Sequence, residues 1–129
     1  MQLREISVEE HAAGRQDDPV EVGVSGPAQV NFRKITIPPG SGTGWHCHHG
    51  NLVGVVQQGE LTHQLRAGGT HVYKAGDAVI EGSGYVHQGY NKGTEDVVLW
   101  VTYVTPEGKP LAENDLARCD KDATDHENR

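Results

Sequence analysis

Aromatic side chains are scarce: one Phe, two Trp and four Tyr stand in 129 residues. A core of stacked rings is excluded, and aliphatic side chains must carry most of the burial. Cysteine is nearly absent as well, with only Cys47 and Cys119. Two thiols cannot build a disulfide framework, and their spacing does not say whether they meet. A reducing cytoplasm is the default reading. Cations are outnumbered, 11 Lys and Arg against 18 Asp and Glu, for a formal net charge of −7. Nucleic acid is therefore disfavoured as a partner, because binding it needs clustered cations. No apolar run approaches the roughly 18 residues of a membrane span, so no membrane partner is expected. Residues 1–15 lack the hydrophobic stretch of a secretory leader. Proline is missing between Pro39 and Pro106. What the chain does have is glycine: 17 residues, 13 of them between Gly40 and Gly93. They follow no three-residue period, which excludes a collagen-like chain. Their spacing suits short strands joined by tight turns.

The length is that of one domain, large enough to bury a core without covalent staples. Residues 1–27 form a polar N-terminal segment with a candidate short strand at 3–7. Residues 28–105 are strand-rich. Expected strands lie at 29–37, 43–48, 52–57, 60–66, 70–74, 78–81, 85–90 and 97–104, with glycine-containing turns between most of them. In the first, Val30 and Phe32 share one face while Ile35 and Ile37 share the other, so a bulge near Arg33 and Lys34 is expected. The last is apolar on both faces apart from Thr102, which places it centrally. Residues 106–129 read as a surface wrap tacked down by Leu111 and Leu116, then an acidic, disordered tail. The fold class is all-β, a sandwich or barrel.

The eight histidines carry the chemistry. Trp45-His46-Cys47-His48-His49 would, on a strand, point His46 and His48 to one side, because residues two apart share a face. Two imidazoles so placed can chelate one transition metal, and His87, after the Gly82-Ser83-Gly84 turn, is the natural third ligand. A His-x-His pair alone is weak evidence. His49 faces away, and Cys47, out of phase with the ligands, reads as a small buried apolar residue. His63 and His71 read as ordinary strand residues, either being a fourth ligand if it faces the interior. There is no G-x-S-x-G elbow, P-loop or G-x-G-x-x-G sequence, so serine hydrolysis and nucleotide binding have no motif support.

The spacing around these histidines resembles the cupin family. Gly40, five residues, His46-Cys47-His48, three residues, Leu52, six residues and Gly59 follow the family's first motif, G-x5-H-x-H-x3-4-E-x6-G, except at the glutamate. Gly76, five residues, Gly82-Ser83-Gly84, two residues, His87, three residues and Asn91 follow its second, G-x5-P-x-G-x2-H-x3-N, except at the proline. The resemblance runs from Phe32 to Val104. It implies a double-stranded β-helix, a jelly-roll-like barrel, with one divalent ion (Fe, Zn, Mn, Ni or Cu) held by His46, His48 and His87. Leu52 cannot ligate, so the implied inner shell is three neutral histidines, as in some cupins that include thiol dioxygenases. An apolar fourth side would suit a hydrophobic or aromatic small-molecule substrate. The implied activity is that of a metal-dependent enzyme: a dioxygenase, cyclase, isomerase or lyase. A non-catalytic module that binds a small ligand or metal is the alternative. A homodimer through strand addition, by residues 97–104 or the N-terminal strand, is a third expectation.

Overall fold

The computed structural model describes residues 5–120. Residues 5–7 form no strand, and the rest of the expected strand at 3–7, like the acidic tail from 121 onward, lies outside the described residues. The chain runs through β1 (Ala28–Ile37), β2 (Asn51–Gln58), β3 (Glu60–Leu65), β4 (Thr70–Lys74), β5 (Ala78–Glu81), β6 (His87–Tyr90) and β7 (Val97–Pro106), then a short 3-10 turn at Leu116–Arg118. All strand pairs are antiparallel. One sheet has the order β1-β7-β2-β5 and the other β4-β3-β6. This is the double-stranded β-helix. Among the described residues no helix is long and apolar enough to cross a membrane.

Alternation decides which side chains enter the barrel. In β7, Val97, Leu99, Val101 and Tyr103 are buried, and they meet Ile37 of β1, Leu52 and Val56 of β2, Leu61 of β3 and Val79 of β5. Each fully buried aliphatic side chain contributes about 1.5–3 kcal/mol. β7 is central, flanked by β1 and β2. It therefore has no free edge, which excludes residues 97–104 from adding a strand to a second copy.

Three expectations about local structure fail, each for a visible reason. β1 has no bulge: ten consecutive pairs run from Ala28 opposite Pro106 to Ile37 opposite Val97. The phase break is real instead, and Val30 and Phe32 simply face outward, Phe32 at 80% exposure. The irregularity sits in β2, between Val56 and Gln58. Residues 43–48 are not a regular strand. They make only isolated bridges, Gly42 with Tyr90, His46 with His87 and Cys47 with Glu113. Cys47 is buried, but as half of a Cys47–Cys119 disulfide and not as a lone apolar side chain. Such bonds are favoured by oxidising surroundings.

Glycine is required at motif positions of positive φ, Gly59 and Gly84 among them. Gly59 turns β2 into β3 with φ of 80°, where a Cβ would also lie 2.7 Å from the Asp96 carbonyl oxygen. Gly84 has φ of 94° and leads the chain into the segment bearing His87. L-residues pay a steric penalty in this region and glycine does not. Asn91, the last residue of the second motif, is structural: its side-chain amide donates to the carbonyls of Ile37 and Glu95, and its oxygen accepts from the Gly93 amide.

Candidate metal centre

Backbone pairing converges the three histidines. The His46 amide donates to the His87 carbonyl and the His87 amide donates back, both at 2.9 Å. This exchanged pair of bonds sets the two side chains side by side without a longer ladder. The Gly84 amide donates to the His48 carbonyl at 2.9 Å, stitching the other end of the His-Cys-His segment to the same turn. All three rings are buried, and one ligand nitrogen from each lies within 4.8 Å of the others.

The rings share one tautomer. His46 Nδ1 lies 2.8 Å from the Gly44 carbonyl oxygen, His48 Nδ1 2.7 Å from that of Leu111, and His87 Nδ1 3.3 Å from that of Tyr85. A carbonyl oxygen can only accept, so each Nδ1 carries a hydrogen, and a ring in its neutral form turns a bare Nε2 inward. Backbone carbonyls hold metal-binding imidazoles in this way. His87 Nε2 is fully buried, with Glu81 Oε1 3.4 Å away. A convergent set of unprotonated imidazole nitrogens is a donor set for a divalent transition metal.

A carboxylate that the sequence reading missed stands against these nitrogens. Glu81, at the end of β5, is 6% exposed. Its Oε1 lies 3.1 Å from His48 Nε2 and 3.4 Å from His87 Nε2, and its Oε2 lies 3.0 Å from His63 Nε2. The fourth side of the centre is therefore not simply apolar: Leu52 lines the cavity, but Glu81 lies directly opposite it in the β2–β5 register. His63 is inside, within the group His63, Glu81 and His87. His71 is exposed and stays outside. His49 is half-buried and bonds Glu113 at 3.0 Å. The signal for Glu81 was its phase, since it shares a face with Val79, a core position. Its charge hid that signal.

Charge and burial oppose one another here. Burial, then the neighbouring His87, drives the His46 pKa down from 6.5 to about 4. Burial also disfavours charge on His48, but bonds to Glu81 and its negative charge outweigh it and raise the pKa. For Glu81, burial raises the pKa, and the charge of His87 with bonds from His48, His63 and His87 overrides it, holding the carboxyl well below its usual range. With both rings neutral, the ionised carboxylate would face the lone pairs of His48 and His87 at contact distance. Acceptors so close repel unless a cation lies among them. A proton on His48 satisfies one contact, whereas a metal ion can satisfy every nitrogen together.

The C-terminal wrap covers this ligand segment. Cys47 and Glu113 exchange backbone bonds of 3.1 and 2.8 Å, the Asp120 amide donates to Gly84, and the disulfide closes the same contact. Leu111 packs on the main core, while Leu116 packs on a small cluster of Cys47, Val86 and Cys119. The cavity over the histidines measures about 60 Å3 and is walled largely by aliphatic side chains such as Leu52, Leu61, Val79 and Leu99.

Over residues 33–103 the sequence matches the cupin domain family, more than half of the chain. The chain belongs to the cupins. Among solved structures, a double-stranded β-helix protein from Klebsiella pneumoniae is 31% identical, with a TM-score of 0.55 over 66% of this chain and 76% of that one. A predicted oxalate decarboxylase from Thermotoga maritima is 29% identical, with a TM-score of 0.52 over 58% of this chain and 65% of that one. A cupin domain from Bordetella pertussis shares the fold at 22% identity, with a TM-score of 0.53 over 76% of this cupin and 100% of that chain. No curated protein matches the chain.

Proposed function

We propose that this cupin is an enzyme that holds one divalent transition metal ion through His46, His48 and His87 and acts on a small organic substrate. The shared tautomer carries the reading: three Nδ1 atoms bound to carbonyls leave three Nε2 atoms facing one buried point. When bound, such an ion supplies a Lewis acid that polarises an oxygen atom of substrate or dioxygen. The chain's own contribution is selection by size. A cavity of about 60 Å3 is far below the roughly 150 Å3 that admits benzene. A molecule of few heavy atoms, or the narrow end of a larger one, fits, which disfavours the aromatic substrate expected from Leu52. The Thermotoga neighbour's description as a predicted oxalate decarboxylase agrees with lyase chemistry on a short carboxylic acid. Oxygenase chemistry is the competing assignment.

Metal analysis of the full chain purified without chelator tests the centre. About one ion per chain is expected, with loss in His46→Ala, His48→Ala and His87→Ala. Full retention by His87→Ala overturns the three-histidine reading. Dioxygen uptake with short carboxylic acids separates oxygenase from lyase. A bound molecule released chemically unchanged would identify a non-catalytic module instead. A homodimer formed by strand addition would use an edge strand such as β1. A cytoplasmic setting requires the Cys47–Cys119 bond to survive a reducing poise, which thiol counting in fresh lysate checks.

A further inference from the structure

The first motif lacks its carboxylate at position 52, yet the barrel interior does not. Leu52 on β2 pairs directly with Glu81 on β5. Residues opposite one another on antiparallel strands point to the same face, with Cβ atoms about 4.5–5.5 Å apart. A carboxylate at 81 therefore enters the space that one at 52 would reach, from the neighbouring strand. It is buried, and among the described residues it contacts the imidazoles of His48, His87 and His63. Among the described residues no lysine or arginine lines the cavity. A buried carboxylate without a strong cation partner is costly, and structures keep one where something else compensates it.

The spacing identifies that compensation. Ligand atoms about 2.1 Å from a common ion, at angles between square and tetrahedral, stand roughly 3.0–3.4 Å apart. Glu81 Oε1 lies 3.1 Å from His48 Nε2 and 3.4 Å from His87 Nε2. The second oxygen is engaged separately, 3.0 Å from His63 Nε2, which turns the carboxylate so that Oε1 faces the ligand nitrogens. His87 belongs both to the group His46, His48, His87 and to the group His63, Glu81, His87, so the two adjoin.

We infer that Glu81 supplies the carboxylate ligand of the metal centre in place of residue 52, with His63 as the residue that positions it. The inference rests on the reading that His46, His48 and His87 hold an ion, and it changes that site's character. The ligand set becomes three nitrogens and one anionic oxygen, so an ion with two positive charges keeps only one unneutralised.

Cobalt(II) titration of the intact chain tests this, read by visible absorption and by competition with a chelator. Glu81→Gln keeps the shape and removes the charge. It is expected to weaken cobalt binding at least about 10-fold and to shift the absorption bands. The double variant Leu52→Glu/Glu81→Leu moves the carboxylate back across the strand pair and is expected to recover affinity relative to Glu81→Leu alone. His63→Gln is expected to shift the bands at saturating cobalt, a change that a purely structural role would not cause. Wild-type affinity and bands in Glu81→Gln overturn the assignment, and unchanged bands in His63→Gln overturn the positioning role. Where Glu81→Gln does not fold, Glu81→Leu replaces it, with the same outcomes decisive. Cobalt lost in His87→Ala but unchanged in Glu81→Gln refutes this inference alone. Cobalt retained in His87→Ala refutes the underlying centre.

Discussion

Removing the cross-link between Cys47 and Cys119 should affect stability and metal binding together. The bond joins residues 72 apart in sequence. On chain-entropy grounds, a loop of that size stabilises the fold by about 4 kcal/mol at 25 °C. Single domains have only about 5–15 kcal/mol in total, so the loss is a large fraction. Unfolding entropy of about 2.1 cal/mol/K per residue for 129 residues converts it to a fall in Tm of about 15 °C. The metal effect is local. Leu111, in the wrap that the disulfide secures, accepts the His48 Nδ1–H bond at 2.7 Å. A wrap that opens leaves His48 free to rotate, and losing such an orienting partner costs about 10–100-fold in affinity. The assay is thermal unfolding by circular dichroism of Cys119→Ser, and of wild type with and without reductant, alongside zinc competition with a chelator. Thiol titration must show that the bond has been reduced. A Tm shift below about 2 °C with both thiols free would refute the reasoning. The wrap would then be held by its backbone bonds and by Leu111 and Leu116 alone.

Two further predictions follow from the buried polar groups. In the metal-free protein His46 is held down to about 4, so it stays neutral while the unfolded chain protonates near 6.5. Its contribution to stability is therefore present above pH 6.5 and lost as pH falls through about 4. His48, with its raised pKa, acts in the opposite sense: its proton stabilises the fold below the unfolded value, and that contribution is lost as pH rises through the folded one. Urea unfolding at several pH values should show a shallower loss between pH 6.5 and 4 in His46→Gln than in wild type, and equal slopes would contradict the account. Asn91→Ala removes two donated bonds and one accepted bond, leaving the buried Ile37 carbonyl unpaired at about 1–3 kcal/mol. A lower urea midpoint with unchanged metal per folded chain is expected, and metal loss in the folded variant would reassign Asn91 to the centre.

Much of the barrel was legible because its signals are local. Glycines that must take positive φ mark turns wherever they stand, and Gly59 and Gly84 do so in the positions the motif spacing gave them. β7 announced its central place by being apolar on both faces. What sequence could not supply was pairing. The phase break in β1 invited a bulge, because Val30 and Phe32 were assumed to need burial. The edge strand leaves them exposed and the register intact. Residues 43–48 alternate like a strand, yet their neighbours offer only isolated bridges, so no ladder forms. Whether Cys47 meets Cys119 depends on where the C-terminal wrap passes, and that path is set by packing of Leu111 and Leu116.

The same division explains the site. His46 and His48 are two residues apart, and a period of two puts them on one face without reference to any other strand. Adding His87 needed only a motif that fixes its distance from a turn. Glu81 needed the β2–β5 register, in which Leu52 and Glu81 are opposite, and register is a property of two strands together. Read along one strand, Leu52 implies a ligand lost; read across the pair, the carboxylate stands one strand away. The distinction has chemical weight. A centre of three neutral nitrogens leaves the full ionic charge to substrate, whereas a fourth, anionic oxygen lowers it and weakens the pull on a bound carboxylate. The Glu81→Gln variant therefore bears on substrate choice as well as on ligand identity. If Glu81 is what tempers the ion, its neutral replacement should hold metal more loosely yet bind a short carboxylate inhibitor more tightly per metal-loaded chain. Inhibition constants measured at saturating metal would show this, and an unchanged constant would mean that Glu81's charge does not reach the substrate side of the ion.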